Sequence, residues 1–131
     1  MRAWRRRAWS ISLKRGEVWE ALFEPRSGSE QRGRRPVILL MRENFLRAPG
    51  WRSIIVVPVS SSARQGARGP TAVHLPAGTG GLTLDSVAFC HQVTTLDRSK
   101  LVQGLGELSV EDLRKVEEGV LIAQGIEIGG R

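Results

Sequence analysis

The sequence has a single cysteine, Cys90, three lysines and two histidines. One thiol cannot form an intrachain disulfide, which fits a reducing compartment. Cys90, His74 and His91 are the only soft metal donors, and their spacing does not form a ligand set, so zinc chemistry is all but excluded. No apolar run approaches the ~20 residues needed to span a membrane. The basic start, MRAWRRRAWSISLKRG, has no apolar stretch long enough for a signal-peptide core. There is no internal repeat and no low-complexity linker. Together these absences predict a cytoplasmic protein with no membrane partner.

What remains is globular. With 131 residues, 40% of them hydrophobic, the chain has enough core for one domain without a covalent staple. Its charge is lopsided, with 20 Lys+Arg against 13 Asp+Glu, and almost all the cations are arginine. Guanidinium forks suit bidentate phosphate contact and stacking on bases, so a polyanionic partner is one reading. A GC-rich genome that writes Arg for Lys is the other.

Residues 1–12 read as a basic extension expected to be poorly ordered. A domain is expected over 13–126, followed by a loose tail over 127–131. GEVWEAL (16–22) alternates, with Val18, Glu20 and Leu22 opposed to Glu17, Trp19 and Ala21, as in a half-exposed strand. PVILLM (36–41) and IIVVPV (54–59) are continuous apolar runs and predict strands covered on both faces, with Pro36 at the first position of its strand. Pro58 marks a bulge or an edge. TAVHL (71–75), LDSVAFCHQV (84–93) and KLVQGLGEL (100–108) predict further strands. ENFLRAPGWR reads as a loop with one helical turn. SVEDLRKVEEGVLIAQG (109–125) is the clear helix, with Ser109 as N-cap, acids in the first turn and Gly125 at its end. The expected fold is mainly β, a small barrel of short strands with a C-terminal helix.

Polar chemistry concentrates at three strand ends: the loop GSEQRGRRP (28–36), Ser60 to Ser62, and His91-Gln92. Arg35 is the sharpest oddity. Because it precedes Pro36 its backbone is held extended, and its side chain stands where a loop meets a rigid strand. A permanent cation fixed there suits a developing phosphate oxyanion. A solvated loop arginine, or an ion pair with Glu30, would look the same in sequence.

Read in order, LKRGEVW, GSEQRGRRPVIL, IIVVPVSS, DSVAFCHQVTTLD and LSVEDLRKVEEGVLIAQGI resemble the MazF/PemK family of toxins from Leu13 to about Ile126. The resemblance implies an SH3-like barrel with a C-terminal helix, a homodimer, and a toxin held by a cognate antitoxin. It implies an endoribonuclease that cuts single-stranded RNA without a metal or other cofactor. In that reaction the ribose 2′-OH attacks, leaving a 2′,3′-cyclic phosphate and a 5′-OH. The family's catalytic arginine falls on Arg35 and its hydroxyl on Ser60, where many members have threonine. Glu30 and Gln31 of the first loop and Gln92 match the family's RNA-contacting residues. Arg32, Arg34 and Ser61 are expected to guide the RNA. Two positions depart from the pattern. His91 replaces an acid, and Thr94 replaces an arginine. An imidazole titrates near pH ~6.5 and suits a general base, so His91 is expected to take that role; a histidine that caps a strand end is the other reading. The same barrel also carries CcdB-like gyrase-directed toxins, which act through a terminal Trp-Gly-Ile. Here the corresponding residues are Gln124-Gly125-Ile126. A catalytically silent RNA-binding module is the third reading.

Overall fold

A computed structural model describes residues 13–23, 33–61 and 69–127. Seven strands and two α-helices follow in the order β1 (Glu17–Phe23), β2 (Gly33–Leu39), α1 (Glu43–Leu46), β3 (Ser53–Ser60), β4 (Ala72–Leu75), β5 (Ser86–Phe89), β6 (Thr94–Asp97), β7 (Leu101–Glu107) and α2 (Val110–Ala123). All strand pairs are antiparallel, in the order β4-β5-β3-β2-β1-β7, with β6 also on β3. The protein is therefore mainly β with a terminal helix, as its runs of short strands imply.

The three central strands are covered on both faces. Register and pleat divide their side chains between two cores. Trp19, Val37, Leu39 and Val56 join Leu13, Ile54 and Leu101 on one side. Val18, Ile38 and Val57 join Leu75, Leu108, Val116 and Val120 on the other, beneath α2. This explains the unbroken apolar runs in β2 and β3, because each residue has a core to enter whichever way it points.

Three expectations need correction. β1 is not half-exposed: Val18, Trp19 and Ala21 are fully buried, because β2 and β7 flank it and both cores claim it. β2 starts at Gly33, so Pro36 lies inside the strand, opposite Glu20, and not at its first position. The stretch 84–93 is not one strand. β5 ends at Phe89, Cys90–Gln92 forms a 3-10 turn, and TTLD is a separate strand, β6. β5 and β6 lie along the same edge of β3, and the five residues from Phe89 to Val93 span only Val57 and Pro58 between the paired positions. The excess must leave the sheet plane, and α2 holds it there. Cys90 is fully buried, with its Sγ 3.6 Å from Val116 O.

The helix ends follow the expected chemistry. Ser109 Oγ accepts the Asp112 N–H at 3.1 Å, with Glu111 and Asp112 in the first turn. At the other end Gly125 has φ +76°; its N–H reaches Ile122 O, and the Ile126 N–H reaches Leu121 O. Those two bonds form a Schellman cap, whose left-handed residue favours glycine. The 3-10 turn Thr79–Gly81 lies close against the backbone of β7. A side chain on Gly81 (φ +82°) would start 2.0 Å from Leu105 O.

Candidate active site

The β2–β3 ladder runs Leu39–Val56, Ile38–Val57, Val37–Pro58 and stops there. Two residues further along each strand, on the same side of the sheet, stand Arg35 and Ser60. Ser60 pairs only on the other edge of β3, with Val87 of β5, and the end of the β2 ladder at Pro58 shows that β3 has parted from β2 where these two residues sit. The 3-10 turn carrying His91 and Gln92 projects from the other edge of β3 at Val57–Pro58. The register puts Arg35 and Ser60 on the face of the Trp19 core, whereas the turn carrying His91 and Gln92 leaves the opposite edge of β3 with Cys90 packed in the core beneath α2.

Arg35 is half-buried opposite Ala21, whose small side chain leaves room beside the guanidinium stem. Its Nε is buried with no hydrogen-bond partner, and it makes no ion pair among the described residues. An orphaned guanidinium nitrogen inside a strand costs free energy unless an acceptor comes to it. Arg34 points to the opposite face and pairs with Glu20 at 3.5 Å, a mostly exposed contact worth little. Ser60 is buried, and Ser61 is exposed. His91 and Gln92 are both exposed, and His91 meets Phe89 edge to face, with ring centroids 6.2 Å apart. Glu30, Gln31 and Arg32 lie outside the described residues, as do the extension 1–12 and the tail after Glu127.

Four titrating groups are shifted by their surroundings. Burial raises the Glu17 carboxyl above its ordinary value, against hydrogen bonds from Trp19 Nε1 (3.0 Å) and the Lys14 backbone. Burial pushes the Cys90 thiol up to about 11, so it stays protonated at neutral pH and is a poor nucleophile. The Ser99 hydroxyl, the Ser99 backbone N–H and Arg52 hold Asp97 far below the usual carboxylate range. Burial, and then the nearby Arg52, lowers the Arg98 guanidinium. Among the described residues no group of three His, Cys, Asp or Glu side chains is placed to hold a metal ion.

The residue that sequence reading overlooks is Arg98. It is 2% exposed and binds four backbone carbonyls of the β2–β3 loop. Nothing in the local pattern separates it from the other arginines, because the carbonyls it meets lie some fifty positions earlier in the chain.

Comparison with known proteins gives the family. A family model described as PemK-like, MazF-like toxin of type II toxin–antitoxin systems matches residues 14–123. The chain belongs to this family. It is 32% identical over 111 residues to the endoribonuclease EndoA of Bacillus subtilis, covering 85% of this chain and 93% of that one. The fold is shared with MazF of Deinococcus radiodurans, at TM-score 0.71 and 28% identity over 88% of this chain and 99% of that one. A MazE–MazF structure from the same organism gives TM-score 0.68 at 28% identity, over 89% and 99% of the two chains. The matched range takes in Arg35, Ser60, His91 and Thr94.

Proposed function

We propose that this toxin is an endoribonuclease that cuts single-stranded RNA in the cytoplasm by internal transesterification, with no metal or other cofactor. The observation that carries the proposal is the placement of Arg35 and Ser60 on one face of the sheet where β2 and β3 part, with Arg35 Nε buried and unsatisfied. That place suits a phosphodiester, which brings several acceptor oxygens and no donors.

In the proposed reaction the ribose 2′-OH loses its proton to a base and attacks the adjacent phosphorus. A phosphorane forms, the bond to the 5′-oxygen breaks, and that oxygen takes up a proton. The products are a 2′,3′-cyclic phosphate and a 5′-OH. Arg35 stabilises the charge on the phosphorane; with a pKa above ~12 a guanidinium is a poor base. Ser60 donates a hydrogen bond to a non-bridging oxygen. His91, exposed on its turn beside the end of β3, is the proposed base. Ser61 and Gln92, with Glu30, Gln31 and Arg32 of the first loop, guide the flanking nucleotides; Arg34, on the opposite face and paired with Glu20, takes no part. The active form is proposed to be a homodimer, silenced by a cognate antitoxin. In support, solved MazE–MazF structures share the fold.

The gyrase-directed alternative loses ground on the helix cap. Gly125 and Ile126 complete the Schellman motif of α2, which gives the Gln-Gly-Ile sequence a structural reason of its own.

Two measurements test the chemistry. RNA with 2′-O-methyl ribose throughout should resist cleavage completely, and products from natural RNA should carry cyclic phosphate and 5′-OH ends; 5′-phosphate ends would contradict the mechanism. If His91 is the base, the pH–rate profile has a limb in the imidazole range, and His91→Ala loses 10²-fold or more in rate. A His91→Ala enzyme of normal rate with the same profile would leave Arg35 and Ser60 in place and remove His91.

A further inference from the structure

The loop joining β2 to β3, residues 40–52, lies at the far end of that hairpin from Arg35 and Ser60. β3 has 8 residues, which at about 3.3 Å per residue puts the two ends roughly 23 Å apart. Arg98 fastens this loop. Its Nε donates to Trp51 O at 3.1 Å, and its Nη2 reaches the carbonyls of Phe45 (3.3 Å), Leu46 (2.9 Å) and Ala48 (3.1 Å). On the fastened loop the rings of Phe45 and Trp51 stack with centroids 4.2 Å apart and planes within 9°. Phe45 packs against the Trp19 core, while Trp51 remains 42% exposed. One face of the indole lies on Phe45.

The same loop carries three arginines. Arg42, Arg47 and Arg52 are all exposed. Arg47 pairs with Glu43 at 3.2 Å and Arg52 with Asp97 at 2.8 Å. Exposed pairs of this kind are weak, so a phosphate can take over either guanidinium at small cost. Arg42 has no ion pair among the described residues. The Arg35 site does not use this surface, and nothing in the cores requires an indole half in water.

We propose that the Phe45–Trp51 stack, with Arg42, Arg47 and Arg52, is an auxiliary platform for single-stranded RNA. One unpaired base extends the stack on the outer face of Trp51, and the neighbouring phosphates meet the arginines. A rigid aromatic face beside guanidinium groups is the arrangement that binds single strands without sequence preference. A helix or strand of a protein partner would need more apolar area than one indole. The proposal rests on the RNA-cutting reading above and adds a second point of contact, remote from the chemistry.

The test uses 2′-fluoro RNA pools of random sequence, 6 and 20 nucleotides long, which lack the attacking hydroxyl. Affinity is measured by fluorescence anisotropy for the wild-type protein, Trp51→Ala and Trp51→Phe, with thermal melts to confirm folding. Trp51→Ala should weaken binding of the 20-mer by about tenfold, the scale of one lost base stack, and leave the 6-mer unchanged. Trp51→Phe should recover most of the loss. Arg42→Ser should weaken the 20-mer and flatten its salt dependence. Equal 20-mer affinity in wild type and a well-folded Trp51→Ala overturns the platform, and cleavage of natural RNA then leaves the nuclease reading standing. If natural RNA is not cut and neither pool binds, both fail. Unchanged RNA affinity with a loss of self-association, or of binding to a protein partner, in Trp51→Ala would assign the surface to a protein interface.

Discussion

Glu17 carries a carboxylate that the fold keeps out of water, beside the Trp19 indole and across from Glu107 on β7. Its folded pKa lies above the ordinary 4.5. The folded state therefore holds the proton more tightly than the unfolded chain does. The stability this contributes is complete below the unfolded value and is lost as pH rises through the folded one. The wild-type melting temperature should fall more steeply from pH 4 to pH 8 than that of Glu17→Gln, and parallel curves would deny the buried charge any role. Arg98 is the other residue of consequence. Truncating it leaves four carbonyls facing a void, so Arg98→Ala should cost roughly 3 kcal/mol in urea unfolding. Arg98→Lys should recover little, because one ammonium cannot span that set. At this scale the sequence was half legible. Arg35 stood out because Pro36 and the two glycine-framed ends of its loop single it out. Glu17 and Arg98 did not, because each is defined by residues far away in the chain.

Among the elements, α2 matters to the site through one glycine. Gly119 faces the 3-10 turn, and a Cβ there would lie 2.7 Å from Cys90 Sγ and 3.1 Å from Cys90 Cβ. In an open helix, Gly to Ala gains up to about 1 kcal/mol. Here both groups are buried, so Gly119→Ala should instead lose roughly 1–3 kcal/mol by overpacking. Cys90→Ala in the same chain should return part of that loss, a coupling that a double-mutant cycle measures. A neutral or stabilising Gly119→Ala would mean that the turn yields freely and that α2 does not set the position of His91. The same contact explains why the turn was unreadable. DSVAFCHQV has the composition of a strand, and only the pairing of β5 and β6 along one edge of β3 forces residues 90–92 out of it. Where local rules suffice, as in the Ser109 cap, the Gly125 terminus and the apolar runs of β2 and β3, sequence and structure agree to within a few residues.

For the whole molecule, the excess of arginine and the arrangement of β2 and β3 point the same way. A net charge of +7 favours binding to a polyanion and makes that binding salt-dependent. The fold opens its central strands where Arg35 and Ser60 stand, and the family it belongs to consists of toxins. The proposed role of Arg35 is that of the cation in a metal-free RNA cut. It is tested most directly by incubating a long single-stranded RNA with purified protein in EDTA, wild type beside Arg35→Ala, and mapping the 5′ ends. Discrete cuts bearing 5′-OH ends that fall by 10²-fold or more in the mutant are predicted. No cuts by the wild-type protein, or equal cutting by both, would contradict it.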